Sequence, residues 1–212
     1  MMDVIRTGDP ERLPIIIDAS MLPGRLTLGQ LAINGIVTML DHSCGYVTMH
    51  AQTLAGRAQI VTSLIPPRTL PCMRLAQWVW IGGRFPDAIE LATQAHYRTE
   101  IHGRLVRTYK RSVDESHRAR IGELTLTSPT RTACDLSCRD ETGNGALRQH
   151  VLDLCKLMDE WNVSAEECAR MLQDNPRWPG RRHGLGLLAA LAELERLQRE
   201  ESGTDNADNA SS

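Results

Sequence analysis

The chain has 212 residues, 24 of them Lys or Arg against 26 Asp or Glu, for a net charge of −2 and an isoelectric point near 6.4. That balance excludes a uniformly basic nucleic-acid coat, so contact with DNA has to come from local patches. No apolar run reaches the roughly 18 residues that span a bilayer, and residues 1–14 carry charges and prolines rather than a secretory signal, so no membrane partner and a cytoplasmic location are expected.

Residues 1–24 place Pro10, Pro14 and Pro23 around Ile15, Ile16 and Ile17 and read as an extended segment, one strand or a docked stretch. Over 27–34, Leu28, Leu31 and Ala32 share one helical face and Gly35 supplies a stop. Residues 36–40 and 45–49 then form a hairpin around Asp41, His42, Ser43 and Cys44. Residues 51–64 read as a helix closed by Pro66 and Pro67, and 74–81 as a second one ended by Gly82 and Gly83. Trp78 and Trp80 are two apart and point to different sides of that helix, one into the core and its neighbour to the rim.

From 87 to 127 the pattern becomes strand-like, with Ile89 and Leu91 alternating with Glu90, a second segment at 101–109 and a third at 121–127, which together predict one sheet. This stretch is also the most basic of the chain. Arg98, Arg104, Arg107, Lys110, Arg111, Arg118 and Arg120, with His96, His102 and His117, face few acids before Glu123. Two readings fit: an edge strand whose charges block sheet-to-sheet aggregation, and a phosphate-contacting patch of Arg98, Arg104, Arg107, Lys110 and Arg111 interleaved with Tyr97 and Tyr109.

The third strand runs straight into a capped helix. Ser128 is an N-cap and Pro129 occupies the first helical position, where its missing N–H costs nothing. Arg131, Asp135 and Arg139 fall at i, i+4 and i+8 on one face, while Ala133, Leu136, Cys134 and Cys138 offer apolar surface. The last third is helical: residues 145–161 with Leu147, Val151, Leu154 and Met158 in register, a helix from Ser164 to about residue 174, and one over about 181–200 with Leu187, Leu188, Leu191 and Leu194 in a stripe. Residues 202–212, rich in Gly, Asn, Asp and Ser, read as a disordered tail.

Cysteines 44, 72, 134, 138, 155 and 168 show no Cys-x-x-Cys and no Cys/His spacing that closes a tetrahedral zinc site, so reduced core thiols and no bound metal are expected. His42, His50 and Cys44 lie close in sequence but lack a third positioned group for nucleophilic catalysis. No Glu-x-Lys or Asp-x-Lys occurs, so a two-metal nuclease site is unsupported.

The run Thr127, Ser128, Pro129, Thr130, Arg131, Thr132, Ala133, Cys134, Asp135, Leu136 resembles the TSPxRTxxDLA signature of the AbiEi family, the antitoxin side of type IV abortive-infection toxin–antitoxin pairs in their actinobacterial form. Arg57 and Ala58, Ile65 and Pro66, the 76–80 run AQWVW and Gly82 with Gly83 extend the resemblance upstream, so that it covers roughly residues 25–190. The resemblance implies a winged helix-turn-helix in 25–50, a DNA-binding autoregulator of its own upstream region, and a domain that opposes a nucleotidyltransferase toxin. It brings no catalytic residues or cofactor. The proline-rich sequence before Thr27 leaves that winged helix partial, and a lone helix with a hairpin fits a packing unit equally well.

The expectation is thus an α+β protein: an extended segment (1–24), a degenerate winged-helix remnant (25–50), an α+β core with a small mixed sheet (51–140), a helical C-terminal subdomain (141–201) and a tail. The function expected is a non-enzymatic, antitoxin-like regulator. The alternative is a protein-interaction module that has lost its DNA reader or an associated nuclease domain.

Overall fold

The computed structural model describes residues 14–23, 26–95, 100–140 and 144–209. Small sheets alternate with helices along the chain, which gives the α+β architecture. Among the described residues no helix is long and apolar enough to cross a membrane.

On the N-terminal side, β1 (Ile16–Asp18) and β2 (Val37–Met39) flank β3 (Cys44–Val47) in an antiparallel three-stranded sheet. Between β1 and β2 lies α1 (Leu28–Ile33), opened by a capping box in which Thr27 accepts from Gln30 N and the Gln30 side chain accepts from Thr27 N. Leu28 is buried, Leu31 and Ala32 half-buried. A helix-turn-helix needs a second helix, and the described residues of 25–50 hold this six-residue one.

A 3-10 turn over Thr48–Gln52 precedes α2 (Leu54–Leu64), so the helix starts at Leu54 rather than at 51. Gly56 permits the turn, since a Cβ there would lie 1.9 Å from His50 O. The next helix, α3 (Met73–Ile81), is buried on almost every side. Trp78 packs edge-on against Phe85 and Tyr46, and Trp80 against Trp161. Neither tryptophan sits at a rim: exposure is 2% and 4%, because a helix apolar all round is covered all round. Its terminal carbonyls are met from outside. Arg57 Nε and Nη2 donate to Val79 O (2.8 Å) and Trp80 O (3.1 Å), and Lys156 Nζ donates to Ile81 O (3.2 Å).

The strands β4 (Leu70–Pro71), β5 (Ala88–Ala92), β7 (Arg104–Tyr109) and β6 (Glu100–Ile101) form a second sheet in that order, with β5 and β7 parallel. The expected single sheet is corrected here. Residues 121–127 do not join β7; β8 (Arg118–Ile121) and β9 (Leu124–Thr127) make a hairpin of their own, which turns through Gly122 at φ 58°.

Four helices complete the fold: α4 (Pro129–Ser137), α5 (Asn144–Glu160), α6 (Ala165–Asp174) and α7 (Arg181–Asn209). In α7 the inward face is Gly184, Leu188 and Leu191, with Leu187 half-buried against the core, so the predicted leucine stripe docks except at Leu194, which is 56% exposed. A Cβ at Gly180 would stand 2.1 Å from Cys138 O and one at Gly184 2.6 Å from Cys138 Sγ, which shows how tightly the start of α7 is pressed onto the end of α4. The helix also continues to Asn209, through residues 202–209 that composition assigns to a disordered tail. No proline interrupts it, and propagation adds one bond per residue fixed.

Candidate functional site

The 127–136 motif is built inward. Ser128 Oγ accepts from Arg131 N (3.2 Å), and Pro129 stands at the first turn. Thr132 Oγ1 lies 2.8 Å from Thr127 Oγ1 and donates to Ser128 O (2.8 Å), while Trp80 Nε1 donates to Thr127 O (3.0 Å). Thr127, Thr132 and Leu136 are wholly buried. These residues join β9, α4 and α3 at the centre of the core.

The charged members of the motif face a buried network. Arg131 Nε donates to Asp135 Oδ2 (3.1 Å) and Arg111 Nη1 to Asp135 Oδ1 (3.0 Å). The Arg131 guanidinium stacks 3.9 Å from the centre of the Trp178 ring, which ties α4 to the link between α6 and α7. Burial pushes the Asp135 carboxyl up from its ordinary range, and Arg131 and then Arg111 oppose that push. Arg139 does not extend the Arg131–Asp135 ladder. It donates to Glu90 Oε1 (2.7 Å), which also accepts from Tyr109 Oη (2.9 Å), and Glu90 Oε2 accepts from Arg74 N (3.0 Å). Burial and the Glu90 charge hold the Tyr109 hydroxyl well above its ordinary value.

Glu90 forms the floor of a cleft of about 710 Å³ walled by Arg74, Gln77, Phe85, Leu105 and Arg107. The basic segment divides here. Arg107 and Lys110 are exposed. Arg104, by contrast, donates to Pro86 O (3.0 Å), His102 O (3.2 Å) and Leu40 O, with its guanidinium over the Phe85 ring. Arg111 is held by Asp135. Arg98, with His96 and Tyr97, lies outside the described residues.

A second cluster was not visible in the cysteine spacing. Cys44 Sγ stands 3.8 Å from His102 Nε2, and His102 Nδ1 stands 3.3 Å from Asp41 Oδ2. Asp41 Oδ1 accepts from Ser43 N (2.7 Å), Ser43 Oγ (2.9 Å) and Cys44 N (2.8 Å). Burial pushes Asp41 up, but the Ser43 and Cys44 bonds outweigh it and hold the carboxyl below its ordinary range. Burial, aided by Asp41, pushes the Cys44 thiol up to about 11. The third positioned group sought near Cys44 comes from the β6–β7 turn, 58 residues away, where no local spacing reveals it.

No family model, curated protein or solved structure matches this chain.

Proposed function

We propose that the protein is a non-enzymatic, cytoplasmic, antitoxin-like transcriptional regulator of the AbiEi type, which binds DNA upstream of its own gene, opposes a nucleotidyltransferase-like toxin, or does both. The observation that carries this reading is the placement of the 127–136 signature: a strand, a Ser-Pro cap and a helix whose Thr, Arg and Asp each hold a specific neighbour of the core. The signature then marks an architecture rather than a contact surface, and binding belongs to exposed residues outside it. Among the described residues of the patch Arg104, Arg107, Lys110 and Arg111, the exposed Arg107 and Lys110 are the proposed phosphate contacts, since Arg104 and Arg111 serve the fold.

The test is a gel-shift titration of duplex from the gene's own upstream region at two salt concentrations, with copurification against the product of a neighbouring nucleotidyltransferase-like gene. Binding that weakens steeply with salt supports the DNA role. No shift at low salt removes it and leaves partner binding. One observation favours that second reading, a protein-interaction module without a DNA reader: Met21, Leu26, Ile33, Ile36 and Met49 are all large, apolar and exposed around the N-terminal sheet.

A further inference from the structure

We propose that Asp41, Cys44 and His102 form a binding site for a zinc-class divalent cation, with the Cys44 thiolate and His102 Nε2 as ligands, water completing the coordination, and the Asp41 carboxylate orienting the imidazole from its Nδ1 side. Donor atoms of the three residues lie within 4.8 Å of one another. In a tetrahedral zinc site, bonds of about 2.3 Å to sulfur and about 2.0 Å to nitrogen place those two ligands roughly 3.5 Å apart. Cys44 Sγ and His102 Nε2 stand at 3.8 Å. Calcium and magnesium prefer all-oxygen shells, whereas thiolate with imidazole selects zinc and its neighbours.

The scaffold fixes each donor separately. Cys44 lies on the central strand β3, and three donors pin Asp41 Oδ1 so that Oδ2 is directed at the imidazole. His102 holds φ 48°, a backbone conformation uncommon for a residue with a side chain, on the β6–β7 turn. Thiolate and carboxylate together neutralise a dication. Asp18, the register partner of Cys44 in β1, adds negative field, and Arg104 next to the turn balances it. The same three residues stand in the order of a nucleophile, a base and its orienting carboxylate. Cys44, however, is 1% exposed, which closes it to a substrate, while an ion needs only the space between the donors. Binding releases the Cys44 proton to solvent as the sulfur–metal bond forms.

This site is independent of the regulatory role. The experiment titrates the full, reduced, metal-free chain with Co²⁺ and follows with Zn²⁺. Expected is one equivalent of Co²⁺ per chain with a near-ultraviolet thiolate-to-cobalt charge-transfer band that Zn²⁺ abolishes. Cys44→Ala should lose the band and Cys155→Ala should keep it. Asn tolerates positive φ, so His102→Asn preserves the turn; it should lower affinity at least tenfold, by loss of a ligand. The proposal fails if the wild-type chain takes up no stoichiometric metal, if the band survives in Cys44→Ala, or if His102→Asn binds as tightly as wild type. Should Cys44→Ala not fold, His102→Asn decides.

Discussion

Arg139 Nη1 stands 2.7 Å from Glu90 Oε1, an ion pair that joins the end of α4 to the middle of β5 across 49 residues of chain. Glu90 is 1% exposed and Arg139 21%, so the two partners are unequal. Removing the arginine strands a buried carboxylate, whereas removing the acid leaves a guanidinium that water reaches. Arg139→Ala is therefore expected to cost about 3 kcal/mol and Glu90→Gln less, since Gln buries no charge and its one carbonyl oxygen still accepts from either Tyr109 or Arg74 N. Urea unfolding of both variants checks the order; equal losses would show that the pair acts only through its hydrogen bonds.

Within the motif, Ser128→Ala should cost about 1 kcal/mol through loss of the N-cap. Asp135→Ala should cost about 3–5 kcal/mol, because it leaves Arg131 and Arg111 facing a vacated buried site. Thermal denaturation separates the two, and unchanged melting curves would refute the central role of the motif.

Replacing Arg107 and Lys110 by Ala should lower the salt dependence of DNA binding by about 1.8 log units per log unit of salt, close to 0.9 for each phosphate that is no longer neutralised. Arg104→Ala and Arg111→Ala act differently: their loss should appear as a lower melting temperature, with the slope retained in whatever folds. Gel shifts over a salt series distinguish the two groups.

Close packing of α7 on α4 leaves no room for side chains at two glycines. Gly180→Ala combines a clash with Cys138 O and a positive φ of 74°, and should destabilise by about 2–4 kcal/mol. Gly186→Ala, on the same helix with open space around it, should leave stability the same or slightly higher. Calorimetry of the pair gives the contrast.

Cys138 supplies a pH test. Burial pushes its half-buried thiol up to about 11. Since only the thiolate reacts, about one molecule in a thousand is reactive at pH 8, and iodoacetamide labelling of the native protein should accelerate about tenfold per pH unit up to pH 10. Peptide mass spectrometry reads the rate at Cys138, and a rate flat across that range would contradict the burial.

What the sequence made legible was local. Gly35, Ser128 with Pro129 and Ser164 each act within one turn of their own helix, and the structure realises all of them as caps or stops. Periodicity also located most helices. The pairings that organise the interior are long-range: Arg111 with Asp135 across 24 residues, Arg139 with Glu90 across 49, His102 with Cys44 across 58. A count of charges cannot tell an arginine that caps carbonyls from one that meets solvent, which is why Arg104 and Arg107 looked alike. The independent β8–β9 hairpin escaped for a related reason, because alternation marks a strand without naming its partner.

The donors that close the end of α3 come from both sides of it in the chain. Val79 and Trp80 are met by Arg57 from the preceding helix, Ile81 by Lys156 from α5, and Trp80 in turn reaches Thr127. Without Lys156 the Ile81 carbonyl would lose its side-chain donor and take its hydrogen bond from water instead. The end of one nine-residue helix is thus closed by side chains that lie 99 residues apart in the chain, Arg57 before it and Lys156 after it.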